Sequence, residues 1–192
     1  MAGGLRELKK QRTREAIQDN ALRLYREQGY AATTLEQVAA AAEVSLSTLF
    51  RYFPTKPDTV LYDRLDPIFV EKFLAQPEEL DVLTAMRRTL TETLTTTAED
   101  LARLENTRMQ LLAEVPEIRA ASVLKIEEGI PMFLEAVARR TGRDPDDPEV
   151  EAFVGALAGV VAAAYFRAAV EGGDLVAAAD RAMGFLEKGF DL

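Results

Sequence analysis

Residues Thr33–Lys56 read TTLEQVAAAAEVSLSTLFRYFPTK. The stretch spells two short helices joined by a tight turn, the pattern of a helix-turn-helix DNA reader. Thr33 with Glu36, and Thr34 with Gln37, have the spacing of a capping box, which satisfies the orphan amides of a first helical turn. Leu35, Val38, Ala39 and Ala42 share one face at helical spacing. The small Ala39 lets a second helix approach closely. Glu43-Val44 makes the turn, and Ser45 is the next N-cap. The second helix runs from Leu46 to Tyr52 or Phe53, with Leu49, Phe50 and Phe53 expected on its core side. Ser45, Ser47, Thr48, Arg51 and Tyr52 are the candidate DNA contacts. The start of a recognition helix reaches base edges, and its end meets phosphates. Pro54 stops the helix, and Thr55 can cap another that has Pro57 in its first turn. Lys56 offers a further charge to phosphate.

Upstream, the apolar stripe Ile17, Ala21, Leu24 and Tyr25 predicts a helix over 11–28, ended by Gly29 as a C-cap. Residues 1 to about 9 are expected to be mobile. Downstream, a fourth helix is expected from Pro57 to Leu74, kinked or broken by Pro67. Beyond Gln76-Pro77 the pattern stays helical in the segments 80–94, 98–114, 116–140, 148–171 and 175–189. Gly129-Ile130-Pro131 predicts a kink in the third of these, or its division in two. No alternating run of useful length predicts a strand. The expected fold is therefore all-α, with about nine helices. Residues 1–56 form the reader and residues 57–192 form a ligand-binding and dimerisation part.

Composition narrows the chemistry. The chain of 192 residues has neither cysteine nor histidine. That excludes disulfides, thiolate or imidazole metal sites and the usual nucleophilic triads. The acidic group Asp144, Asp146, Asp147 and Glu149 lacks the glycine and spacing of a calcium loop and reads as a solvated helix start. No catalytic residue, metal or cofactor is expected, and the chain is not read as an enzyme. No N-terminal apolar segment suggests export, so the expected location is the cytoplasm. The apolar run Phe153–Phe166 is shorter than the ~20 residues a membrane span needs, and a buried or interface helix is expected there.

The net charge of −9 is unevenly spread. Residues 1–62 carry nine Lys/Arg and seven Asp/Glu, whereas the other 130 carry fourteen and twenty-five. Basic charge is thus concentrated at the reader, in Arg6, Lys9, Lys10, Arg12 and Arg14 above all. These form either a phosphate-binding arm or a solubilising tail. The acidic remainder should face away from DNA.

Ile17, Ala21, Leu24, Tyr25, Gly29-Tyr30, Thr33-Thr34, Val38-Ala39, Val44-Ser45, Thr48, Tyr52-Phe53 and Lys56 together resemble the N-terminal signature of TetR-family transcriptional regulators. The resemblance covers about the first third of the chain. It departs at Glu43, where the family usually has glycine, and at Phe50, where it usually has tyrosine. A side chain in a left-handed turn costs roughly 1 kcal/mol. The stretch from Arg108 to Arg119, RMQLLAEVPEIR, resembles an acyl-CoA-type ligand domain similar to that of mycofactocin-system regulators.

The resemblance implies a homodimer on palindromic double-stranded operator DNA, with Thr33, Thr34 and the recognition-helix residues at the contact. It also implies release by a small apolar effector, with acyl-CoA the candidate. Phe69, Phe73, Met86, Leu90, Met109, Leu112, Phe133 and Phe166 are the candidate apolar lining, and Arg108 and Arg119 the candidate partners of an anionic head group. For the dimer, Gly155, Gly159, Ala162 and Ala163 form a small-residue surface on one long helix, with Ala179 and Met183 on the last. The alternative function is a ligand-independent activator or architectural DNA binder.

Overall fold

The structure is a computed structural model that describes residues 2–96, 99–171 and 175–189. Ten helices occur among the described residues: α1 Ala2–Gln28, α2 Leu35–Ala41, α3 Leu46–Tyr52, α4 Asp58–Leu61, α5 Leu65–Leu74, α6 Val82–Thr96, α7 Glu99–Glu114, α8 Pro116–Thr141, α9 Pro148–Glu171 and α10 Leu175–Lys188. None of the described residues lies in a strand. The expected start of α7 at Ala98 falls outside the described residues.

Three local expectations change. First, α1 begins at Ala2, so the expected mobile arm is helical. Leu5 to Lys10 is a run of good helix formers, and Lys10 pairs with Glu7 at 2.8 Å. Second, the single fourth helix is two. Pro67 sits in the first turn of α5, where a missing amide costs nothing. Its ring forbids a helical carbonyl at Asp63, so the break falls at residues 62–64 instead of at the proline. Third, α8 runs unbroken through Pro131. The ring faces solvent, and the helix gives up only the amide bond that would have reached the Glu127 carbonyl.

The caps at the reader follow the sequence closely. Gln37 N–H donates to Thr34 Oγ1 at 3.3 Å, and Thr34 N–H donates to Gln37 Oε1 at 2.8 Å, completing the capping box. Thr48 N–H donates to Ser45 Oγ at 3.1 Å. Between the two helices Glu43 takes φ 55°, the left-handed region. The turn thus keeps the geometry that favours glycine and carries the strain of a side chain there.

Two apolar clusters hold the fold. The first joins Ile17, Ala21, Leu22 and Tyr25 of α1 to Val38, Ala39, Leu49 and Phe53. It continues through Val60 and Leu61 of α4 into Leu111, Leu112 and Ile118 of α7 and α8. The core of the reader therefore runs on into the body. The second cluster gathers Phe73, Met86, Val137, Val154 and Met183 from α5, α6, α8, α9 and α10.

Between the clusters lies the short joint 62–64. Gln18 Nε2 donates to the Tyr62 carbonyl at 2.7 Å, and Arg64 Nη2 donates to the Glu15 carbonyl and to Asp19 Oδ1, both at 2.7 Å. Those bonds hold the joint to α1. From the body side, Arg108 of α7 donates to the Val60 carbonyl at 2.8 Å and to Asp63 Oδ2 at 3.2 Å.

Candidate nucleic-acid interface and effector site

The outer face of α3 is built from hydroxyls and one guanidinium. Ser45 Oγ lies 3.0 Å from Ser47 Oγ and donates to Thr48 Oγ1 at 2.9 Å, so three hydroxyls gather at the helix start. Ser45 and Ser47 are exposed, and Thr48 is half-buried. Arg51 is exposed one turn on, with its guanidinium 5.3 Å from the Tyr52 ring centre. Among the described residues it makes no ion pair. Tyr52 packs its ring against the first cluster and is half-buried. Phe50, expected in the core, is 44% exposed instead. Leu49 and Phe53 stand one turn apart on the buried face, and Phe50 lies about 100° round from Leu49.

Two residues expected on the DNA face turn inward. Thr33 is buried, donates its hydroxyl to the Gly29 carbonyl at 2.8 Å, and holds the turn before α2. Lys56 donates to the Tyr30 carbonyl, and its ammonium sits 4.1 Å from the Tyr30 ring centre. Burial lowers the Lys56 pKa. Both side chains are committed to the reader's own structure. Thr34 stays exposed at the start of α2.

The expected ligand residues divide. Phe69, Phe73 and Phe133 meet, with ring centres 6.4 Å apart for Phe69–Phe73 and 5.7 Å for Phe69–Phe133, and Met86 and Leu90 join them in the second cluster. Leu112 and Phe166 belong to the first cluster, on the reader's side. Met109 is half-buried on α7. Neither arginine is available to an anion. Arg119 donates to the Ala113 carbonyl at 3.2 Å. Arg108 is buried and donates to both Glu105 oxygens at 2.7 Å, besides Asp63 and Val60. The loss of water at α7 leaves a guanidinium no choice but such partners. Beside the aromatic group, the buried hydroxyl of Thr89 finds no hydrogen-bond partner among the described residues.

The small-residue surface divides as well. Gly155, Gly159 and Ala163 are exposed along α9, and Ala162 is half-buried. A Cβ added at either glycine meets nothing within 4 Å, so packing inside the subunit does not require them. Ala179 and Met183, by contrast, are buried at 1% exposure against their own chain. Val170 and Phe185 are large apolar side chains left exposed on the same two helices. The run Pro148–Ala168 is long and apolar enough to cross a membrane, beyond what the shorter run 153–166 suggests, yet only 22% of its most apolar window is buried.

Nothing in the sequence pattern predicts the charged joint. Asp63 caps α5 by accepting from the amides of Leu65 at 2.7 Å and Asp66 at 3.1 Å, and it also accepts from Arg108. The only hint is local, Asp63-Arg64 just ahead of Pro67. Their partners lie 45 residues or more away. Burial, helped by Asp63 and Glu105 and opposed by Arg108, pushes the Asp66 carboxyl up to about 7. Burial raises Glu105 too, against the pull of Arg108.

Comparisons with known proteins agree with this architecture. Residues 17–60 match the family model described as "Bacterial regulatory proteins, tetR family", and residues 80–191 match the "MftR C-terminal domain". The chain is 31% identical over 151 residues to the HTH-type transcriptional regulator TcmR of Streptomyces glaucescens, covering 75% of this chain and 67% of that protein. Among solved structures it is similar to Thermus thermophilus FadR, a TetR-family repressor in complex with lauroyl-CoA. That likeness has 28% identity and a TM-score of 0.53, over 93% of this chain and 95% of the other. NalD of Pseudomonas aeruginosa shares the fold, at 19% identity and a TM-score of 0.56 over 94% and 97% of the two chains.

The raised Asp66 carboxyl makes stability depend on pH. The folded chain keeps a proton that the unfolded chain releases between 3.8 and about 7. Stability on this account is full below that window and declines as pH rises through it. Asp66→Asn removes the dependence. Thermal unfolding followed by circular dichroism should give equal melting temperatures for variant and wild type near pH 4, and a higher one for the variant at pH 8. A gap that does not widen between those values would contradict the assignment.

Proposed function

Since the chain belongs to the tetR family of bacterial regulatory proteins, we propose that it is a homodimeric transcriptional repressor that binds a palindromic operator and is released by an acyl-CoA-like effector. The observation that carries the reading is the outer face of α3, where Ser45, Ser47, Thr48 and Arg51 stand together at the reader's surface. Hydroxyls accept or donate to several bases, and an unpaired arginine grips guanine or phosphate. Exposed Arg6, Lys9 and Arg12 on the extended α1 supply further phosphate contacts.

A second copy completes the reading. Two readers must span adjacent major grooves, which calls for a two-fold partner. The exposed small-residue surface of α9, flanked by Val170 and Phe185, is the surface offered to it. Burying that surface removes apolar area from water at roughly 25 cal/mol per Å². Residues 1–56 then serve as the reader and 57–192 as the body that senses and dimerises.

The effector is assigned to the second cluster, around Phe69, Phe73, Met86, Leu90 and Phe133. Support comes from the match to the MftR C-terminal domain and from the likeness to a repressor in complex with lauroyl-CoA. With Arg108 and Arg119 committed inside the protein, the hydrocarbon chain carries most of the affinity. An acyl chain entering between α5, α6 and α8 must displace α5. Since α5 continues directly from the joint 62–64, that movement reaches the reader. Release is then a population shift, bounded by the ligand's differential affinity for the two arrangements.

Three outcomes test this reading. A duplex selected from random DNA should bind wild type, and Thr48→Ala/Arg51→Ala should abolish specific binding with helical content unchanged. Removing either base-reading side chain should cost ~1–3 kcal/mol of binding; full specific affinity in the double variant would exclude this face. Gly155→Leu and Gly159→Leu should give folded monomers by sedimentation, because the added side chains meet nothing in their own subunit; soluble dimers in both would place the interface elsewhere. Lauroyl-CoA should lower the fluorescence anisotropy of a labelled duplex–protein complex and raise the melting temperature of the protein. No change in either across chain lengths would remove acyl-CoA as the effector.

A further inference from the structure

A cavity of about 330 Å³ opens between α1, the joint 62–64, α5 and α7. It is separate from the aromatic cluster assigned to the acyl chain. One wall is polar, made of Gln11, Glu15 and Asp19 of α1 with Arg64 of the joint. The other is apolar, made of Ile68 of α5 with Leu101 and Leu104 of α7, and Tyr62 and Pro67 close it. The volume is at the small end of the range for small-molecule sites, and an apolar wall facing a few polar groups is their usual make-up.

The charge of the polar wall selects the ligand. Arg64 has already given Nη2 to the Glu15 carbonyl and to Asp19 Oδ1. Asp19 is still half-exposed, and among the described residues the Glu15 carboxylate accepts only from the side chain of Gln11. Both keep free lone pairs. Around them the joint holds Asp63, Asp66 and Glu105. Against these five carboxyls stand Arg14 on the Tyr62 ring, Arg64 and the buried Arg108. The balance stays negative even with Asp66 protonated. A carboxylate or phosphate entering here is repelled, and a neutral molecule leaves the lone pairs unanswered.

We propose that this cavity binds a hydrophobic cation, a quaternary or protonated amine on a compact hydrocarbon body. The cationic nitrogen faces Glu15 and Asp19, and the hydrocarbon lies on Leu101, Leu104 and Ile68. Such a ligand touches the reader through α1 and the body through α5 and α7 at once. It therefore distinguishes one setting of the joint from another and acts on the reader without entering the acyl site.

Calorimetric titration of the full chain, without DNA, tests the site independently of the repressor reading. The probes are benzyltrimethylammonium, neutral 3-phenylpropan-1-ol and anionic 3-phenylpropanoate. The cation should bind saturably with a Kd of about 1 mM or tighter, at least about tenfold more tightly than the alcohol, and the carboxylate should not bind. Glu15→Gln should weaken the cation about tenfold and leave the alcohol unchanged. Leu101→Trp fills the cavity and should abolish binding of both, with Ile68→Trp as the second filling variant if the first fails to fold. Equal affinity for the three probes, no saturable binding of the cation, or binding indifferent to Glu15→Gln and to a folded filling variant would overturn the proposal.

Discussion

A single buried guanidinium organises this protein. Arg108 has no access to water, so every donor it turns inward must meet an acceptor or forfeit several kcal/mol. It meets the Val60 carbonyl, Asp63 and both oxygens of Glu105. The first two belong to the segment that carries the chain from the reader to the body. Because a charge-assisted bond is directional, the position of α7 dictates the position of Val60 and Asp63, and through them the start of α5. On the opposite side Gln18 and Arg64 tie the same few residues to α1. The joint is thus clamped between the two halves and cannot move without loosening one clamp.

The clamp makes the two apolar clusters communicate. The first extends from α1 through α4 into α7 and α8, so the reader is rooted in the body instead of hanging from it. The second lies beyond the joint, and α5 leads directly back from it. Apolar packing is close to solid, and a ligand in the second cluster cannot be absorbed locally. The excess of carboxyls over arginines at the joint adds an electrostatic bias, visible in the raised Asp66 and Glu105. A site of strained charge balance beside a mechanical hinge is the place where small binding energies have large geometric effects.

The exposed side of α9 is the other departure from a self-contained chain. A helix with mean hydropathy 1.5 is ordinarily buried, yet most of this one faces outward. Its glycines have open space above them, and Val170 and Phe185 stand exposed close by. Membership of the tetR family and the MftR-type body give that surface its natural reading as a seam between two copies.

Much of the reader is legible in the chain itself, because its signals are local. Thr34 caps α2 and Ser45 caps α3 through bonds that span three residues, and α9 keeps the bounds that Pro148 and Glu171 suggest. Helical period and the absence of alternation determine the all-α class in the same way. Where a residue stands on a short helix is harder to read. Hydrophobicity alone sends Phe50 to the core, and polarity alone sends Thr33 and Lys56 to the surface. The curvature of α3 turns Phe50 out, while a buried hydroxyl and a half-buried ammonium are satisfied by carbonyls of the turn at 29–30. Only tertiary structure decides the role of Arg108. Its partners lie 45 and 48 residues away in sequence, and a salt bridge to a ligand and one to the protein's own joint are written with the same residue. Local bonds determine which helices form, whereas the pairing of distant buried charges determines how those helices are held against one another.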